Sequence, residues 1–189
     1  MAAAKSVMAE TRIEAVTIDD IIQRAEVGKG SFYNHFASKE DLFFATLDEI
    51  IVGMTDRTML AIKGIEDPAE VLSASIRVHI FLATEDPEVG RFIINAPASL
   101  NLLQRYADPT LNHNIDSGLE LGRFKLRDRD LFFTVLIAGI NATVLGQLEN
   151  RLDESTSSEF ARLVLVLAGL DRDDAHEVSL RPLPIVHHL

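Results

Sequence analysis

Thr17-Ile18-Asp19-Asp20-Ile21-Ile22-Gln23-Arg24-Ala25-Glu26-Val27-Gly28-Lys29-Gly30-Ser31-Phe32-Tyr33-Asn34-His35-Phe36 reads as two short helices meeting at a tight corner. Thr17 is a good N-cap, because its hydroxyl can accept a free amide of the first turn. Asp19 and Asp20 follow in that turn, where the helix dipole favours negative charge. Ile18, Ile21, Ile22 and Ala25 recur at helical spacing and form one apolar face. Glu26-Val27-Gly28 makes the corner, with Val27 expected as the plug between the helices. Gly28 and Gly30 open the second helix, and Phe32 and Phe36, four apart, turn inward. Lys29, Ser31, Tyr33, Asn34 and His35 are left outward. A hydrogen-bonding, cationic face on a short helix held at a fixed angle is what reading a DNA groove requires.

The run Gly30-Ser31-Phe32-Tyr33-Asn34-His35-Phe36-Ala37-Ser38-Lys39-Glu40-Asp41-Leu42, together with the helix before it, resembles the DNA-binding domain of TetR-type transcriptional regulators. The detailed match covers roughly the first quarter of the chain. The resemblance implies that Thr17 caps the helix bracing the DNA backbone, and that Lys29, Ser31 and Asn34 lie where base edges are read. It places Tyr33, His35 and Lys39 where phosphates are held, with Gly28 at the turn. Two residues depart from the pattern. Glu26 stands where the family usually has Gly, and a non-Gly residue at positive φ costs about 1 kcal/mol. Ile22 is bulkier than the Ala often found there.

The chain has 189 residues, 47% of them hydrophobic and 6% aromatic, which suits an aliphatic helical core. With no cysteine there is no disulfide framework and no thiolate metal site. The six histidines include no pair at i and i+4, so no metal and no cofactor is expected. No nucleophile elbow and no glycine-rich phosphate loop occurs, so the chain does not read as an enzyme. The first residues lack the layout of a signal peptide. No apolar run reads as long enough to span a bilayer, Leu163 to Leu170 being much too short. The expectation is a cytoplasmic protein with no membrane partner.

The net charge is −11, against a surface that binds nucleic acid everywhere. Even residues 1–45 set Lys5, Arg12, Arg24, Lys29 and Lys39 against Glu10, Glu14, Asp19, Asp20, Glu26, Glu40 and Asp41. The basic segment that related proteins carry before the first helix is missing, so the sequence is expected to be a shortened version of a longer one.

The whole chain reads as all-α, with no strand-like alternation. A helix-turn-helix head is expected over 1–45, and an effector-binding, dimerising body over 46–189. Ala2 to about Arg12 forms the first helix, and Ser38 caps a helix from Lys39 to about Lys63 that joins head to body. Asp67-Pro68, Asp86-Pro87 and Asp108-Pro109 start further helices, since Pro is tolerated at the first helical position. Residues 98–106 also read as helix. Asp130 to Leu152 and Phe160 to Leu170 are the most apolar segments, and residues 179–189 read as an extended tail.

Polar groups among the apolar residues of the body point to a ligand cavity, because buried polar groups need partners. His79, Asn95, Tyr106, His113 and Asn141, with the ring of Phe92, are the candidate ligand-binding residues. The two apolar segments and the polar turn between them read as a hairpin that pairs with a second copy in a four-helix bundle. Its expected dimer face is Leu136, Gly139, Thr143, Gly146, Phe160, Leu163, Val164 and Leu167.

The function implied is a ligand-responsive regulator of transcription, a repressor. As a homodimer it would place one recognition helix per subunit in successive major grooves of a near-palindromic site in double-stranded DNA. A small-molecule effector would favour a body conformation whose head spacing no longer fits, acting through the helix from Lys39. The second reading is a helical small-molecule-binding or interaction protein with weak or lost DNA binding, given Glu26 and the acidic head.

Overall fold

The computed structural model of the chain describes residues 1–95 and 109–183. Among these residues all regular structure is helical: α1 (Ala2–Glu10), α2 (Ile18–Ala25), α3 (Lys29–Tyr33), α4 (Lys39–Ala61), α5 (Pro68–Glu85), α6 (Pro87–Ile94), α7 (Pro109–Glu120), α8 (Arg129–Leu148), α9 (Thr156–Leu167) and α10 (Arg172–Ser179). The helix expected over 98–106 and the end of the tail fall outside the described residues.

The boundaries follow local chemistry. Ser38, Asp67, Asp86, Asp128 and Asp171 each accept backbone N–H bonds at the start of a helix, and Pro68 and Pro87 hold first-turn positions. Asp86 ends α5 and caps α6 at once, so the chain turns there within one residue. Gly90 permits the close return, since a Cβ at this position would lie 2.2 Å from the Ala83 carbonyl oxygen.

The buried side chains form two clusters. One joins α1 to α4 and includes Met8, Val16, Ile21, Phe32, Phe43 and Leu47. The other fills the body around α5, which packs against α4, α6, α7, α8, α9 and α10, and whose Ala69, Leu72, Val78 and Ile80 are fully buried. α4 runs unbroken through residue 45, the expected boundary. It serves both clusters, with Leu42, Phe43 and Leu47 in the first and Met54 and Ala61 in the second.

An ionic knot closes the far end of the body. The Arg123 guanidinium donates two bonds to the Asp67 carboxylate, both of 3.0 Å, and further bonds to Asp174. Arg181 donates to Glu70 and Glu177. The start of α5, the chain after α7 and α10 are thereby held together.

α8 is, by length and composition, apolar enough to cross a membrane, contrary to the reading that no segment is. Its position explains the composition: Phe132, Leu136, Thr143, Val144 and Gly146 face the core. Leu131, Val135, Ala138 and Ala142 lie on the exposed side.

Candidate functional site

The corner is built as its sequence dictates. Asp20 N–H donates to Thr17 Oγ1 (3.2 Å), and Thr17 N–H donates back to Asp20 Oδ2 (2.8 Å), a complete capping box. The Thr17 hydroxyl also donates to that carboxylate, and these bonds hold the Asp20 carboxyl below its ordinary pKa. α2 ends at Glu26, which adopts the left-handed conformation (φ 54°, ψ 38°). Val27 corrects one expectation. It is 44% exposed, and Ile21 and Phe32 are the buried residues of the two helices.

α3 is a short helix that buries Phe32 and leaves Lys29, Ser31, Tyr33, Asn34 and His35 exposed beside Gly28. Cβ atoms at Gly28 and Gly30 would meet nothing within 4 Å, so this surface is open to close approach. Lys39 is elsewhere. Its ammonium donates to the carbonyls of Ile13 (2.9 Å) and Val16 (2.8 Å), and more weakly to Glu14. It clamps the α1–α2 loop instead of facing outward with the exposed residues of α3. Three further head cations are also engaged: Lys29 lies 3.6 Å from Asp19, Arg24 pairs with Glu10, and Lys5 pairs with Asp86 and Glu88.

The last of these pairs belongs to the joint between head and body, where α1 lies along α6. Near one end Lys5 donates to Asp86 (2.9 Å); at the other, the Asn95 amide donates to the carbonyls of Met8 (3.2 Å) and Ala9 (3.0 Å). Between them Phe92 is fully buried against Phe43. Its neighbour Ile93 turns the other way and lines a cavity in the body.

That cavity has a volume of about 180 Å³ and lies among α4, α5, α6, α7 and α8. His79 and Asn141 line it, as expected. Phe92 and Asn95 do not, because α6 turns both toward the head. His113 is exposed to solvent, and its neighbour Asn114 lines the cavity instead. Tyr106 lies outside the described residues. Thr55, Thr58, Ser75 and Thr110 also line the cavity and were missed. Their signal was present in the helical spacing of Thr55, Thr58 and Ile62 and of Leu72, Ser75, Ile76 and His79.

The expected dimer face is only partly outward. Leu163 (53%) and Leu167 (48%) are exposed on α9, beside Leu131 (59%) and Val135 (43%) on α8. Leu136, Thr143, Gly146 and Val164 are buried within the chain, and Leu136 lines the cavity. Gly139 seats the half-buried Phe160 of the same chain: a Cβ there would lie 2.3 Å from the Phe160 ring. Gly146 does the same for Leu152 at 2.5 Å. Gly139 and Gly146 thus serve packing inside the chain.

Two family models match this chain. "Bacterial regulatory proteins, tetR family" matches residues 1–46, and "Tetracyclin repressor-like, C-terminal domain" matches residues 67–181. The chain belongs to the TetR family of bacterial regulators. A solved structure of RolR in complex with resorcinol is similar at 30% identity and a TM-score of 0.78, covering 98% of this chain and 93% of RolR. FadR from Bacillus subtilis, in complex with stearoyl-CoA, shares the fold at 21% identity and a TM-score of 0.72, over 88% of this chain and 96% of that one. The HTH-type transcriptional regulator BetI of Rhizobium meliloti (strain 1021) is 34% identical over 76 residues, 40% of this chain. That match spans 37% of the length of BetI.

Proposed function

We propose that this chain is a ligand-responsive DNA-binding regulator of transcription, a cytoplasmic repressor that a small effector releases from its operator. The observation that carries this reading is the pair Phe92 and Ile93, adjacent on α6. One is buried in the head cluster and the other lines the body cavity. A ligand that pushes on Ile93 moves the helix that Phe92, Lys5 and Asn95 tie to the head. The similar RolR was solved in complex with resorcinol, which supports a small-molecule ligand for this chain.

In this reading the head is residues 1–45 and the body is residues 46–189. Lys29, Ser31 and Asn34 read base edges, Tyr33 and His35 contact phosphates, and the start of α2 at Thr17 faces the backbone. Two copies pair through Leu131, Val135, Ala138, Ala142, Leu163 and Leu167, burying two exposed apolar helix faces in a four-helix bundle. Two-fold symmetry then calls for two half-sites about one helical turn, ~10 base pairs, or a multiple apart. Selection from a pool of random duplexes tests this. Enrichment of a near-palindrome is expected, and a pool without a shared sequence contradicts it.

A second reading, a ligand-binding protein with weak DNA affinity, is favoured by the pairing of Lys29 with Asp19 and Arg24 with Glu10. A gel shift against the DNA flanking its own gene separates the two. A folded dimer that fails to bind even at low salt supports the second.

A further inference from the structure

The cavity of the body has a chemistry that restricts its ligand. Its walls are mostly aliphatic, with Leu72, Ile76 and Leu136 almost fully buried beneath them. Among the described residues that line it there is no Asp, Glu, Lys or Arg, and His79 is the one ionisable group. Its polar groups are hydroxyls, amides and that imidazole. Ser75 and His79 lie one turn apart on the same side of α5, and Asn141 enters from α8. Asn114 has its amide nitrogen committed to the Pro68 carbonyl at 3.0 Å, which leaves its oxygen as an acceptor.

Size restricts the ligand further. The cavity measures about 180 Å³. An apolar cavity of roughly 150 Å³ takes up one benzene ring, and drug-sized ligands occupy sites of roughly 300–1,000 Å³. An ionised carboxylate or phosphate placed here leaves water without a cationic partner among the described lining residues, which is strongly unfavourable. A hydroxyl on a ring meets both donors and acceptors.

From this cavity we propose the class of the effector: an uncharged, single-ring molecule bearing one or two hydroxyl groups, its ring held by the aliphatic walls and its hydroxyls by Asn141 and His79. This rests on the reading of the cavity as the effector site. The described lining residues offer no cationic partner for the charged groups of a coenzyme A thioester or a fatty acid.

The test is isothermal titration of the DNA-free protein at neutral pH with phenol, benzene-1,2-diol, toluene, benzoate and decanoate. Phenol and the diol should bind saturably with one site per chain. Toluene, which fills the same space without a hydroxyl, should bind roughly tenfold more weakly, the effect of losing one or two buried hydrogen bonds. Benzoate and decanoate should give no saturable heat. Asn141→Leu should lower phenol affinity roughly tenfold while leaving toluene unchanged. If that variant fails to fold, the ligand series on the unaltered protein decides the matter. Benzoate or decanoate binding as tightly as phenol, or no binding by any of the five, overturns the proposal. Because no DNA is present, these outcomes are independent of the regulatory reading. Should phenol bind without altering a genuine operator complex, the ligand class stands and the effector role fails.

Discussion

Phe92 of α6 stacks on Phe43 of α4 with ring centroids 5.0 Å apart and planes within 18° of parallel. Both rings are almost fully buried, so the head is joined to the body by shared core. Phe92→Ala should cost about 3–5 kcal/mol of unfolding free energy, as large core truncations do. A double-mutant cycle with Phe43→Leu should show a coupling of about 0.5–1.5 kcal/mol. Urea denaturation of the four proteins measures both; strictly additive losses mean that the stack is not a joint.

The Lys5–Asp86 bridge makes the same joint sensitive to acid. Burial pushes the Asp86 carboxyl up, but the hydrogen bonds from Lys5 and from backbone amides outweigh it, leaving its pKa below the ordinary value. The bond to Asp86 likewise raises the pKa of Lys5. A depressed carboxyl stabilises the fold above its unfolded pKa of about 4, and that contribution is lost as pH falls through the folded value. Lys5 itself stays charged throughout that range and deprotonates only above pH ~10, so in acid the shared bridge is lost through Asp86. Lys5→Met should therefore lower the Tm at pH ~7 but not at pH ~2. A Tm difference that persists in acid assigns the effect to packing of the lysine stem.

Glu26 sits at φ 54°, where a side chain is strained. Glu26→Gly should stabilise the protein by about 1 kcal/mol and, by removing a carboxylate from the DNA side, tighten DNA binding. Denaturant midpoints check the first part. A variant no more stable than the parent means that contacts of the Glu26 side chain offset the strain.

Assembly and folding should separate on α8 and α9. Val135→Glu and Leu163→Glu alter exposed residues and should give folded monomers. Gly139→Ala should instead lower the Tm, because its Cβ would lie 2.3 Å from the Phe160 ring, with the dimer otherwise retained. Sedimentation and thermal melts together decide; dimers from both Glu variants contradict the proposed interface.

The pattern of success in the sequence follows the range of the forces involved. Thr17, Asp67-Pro68 and Asp86-Pro87 mark helix starts because a cap acts within three residues. The exposed face around α3 was legible because Phe32 and Phe36 are apolar and the residues between them polar. α8 was not legible in the same way. It is apolar on nearly every side, so spacing alone could not tell the face toward Phe160 from the outward face, and Leu136, Thr143 and Gly146, expected outward, are buried within the chain. Lys39 was legible as a cation but not as a clamp, because its carbonyl partners lie more than twenty residues earlier. Phe92 and Asn95 were placed in the cavity because both lie in the body's sequence, whereas the turn at Asp86 lays α6 along α1 and presents them to the head.

The most direct test of the account is fluorescence anisotropy of the selected operator and of a scrambled duplex, with the parent protein and with Asn34→Ala. The parent should prefer the operator by roughly 10³-fold or more at physiological salt. Asn34→Ala should lose about 1–3 kcal/mol of that preference while binding the scrambled duplex as before. A parent protein that binds both duplexes alike, or an Asn34→Ala variant that keeps the full preference, would contradict the claim that α3 reads DNA.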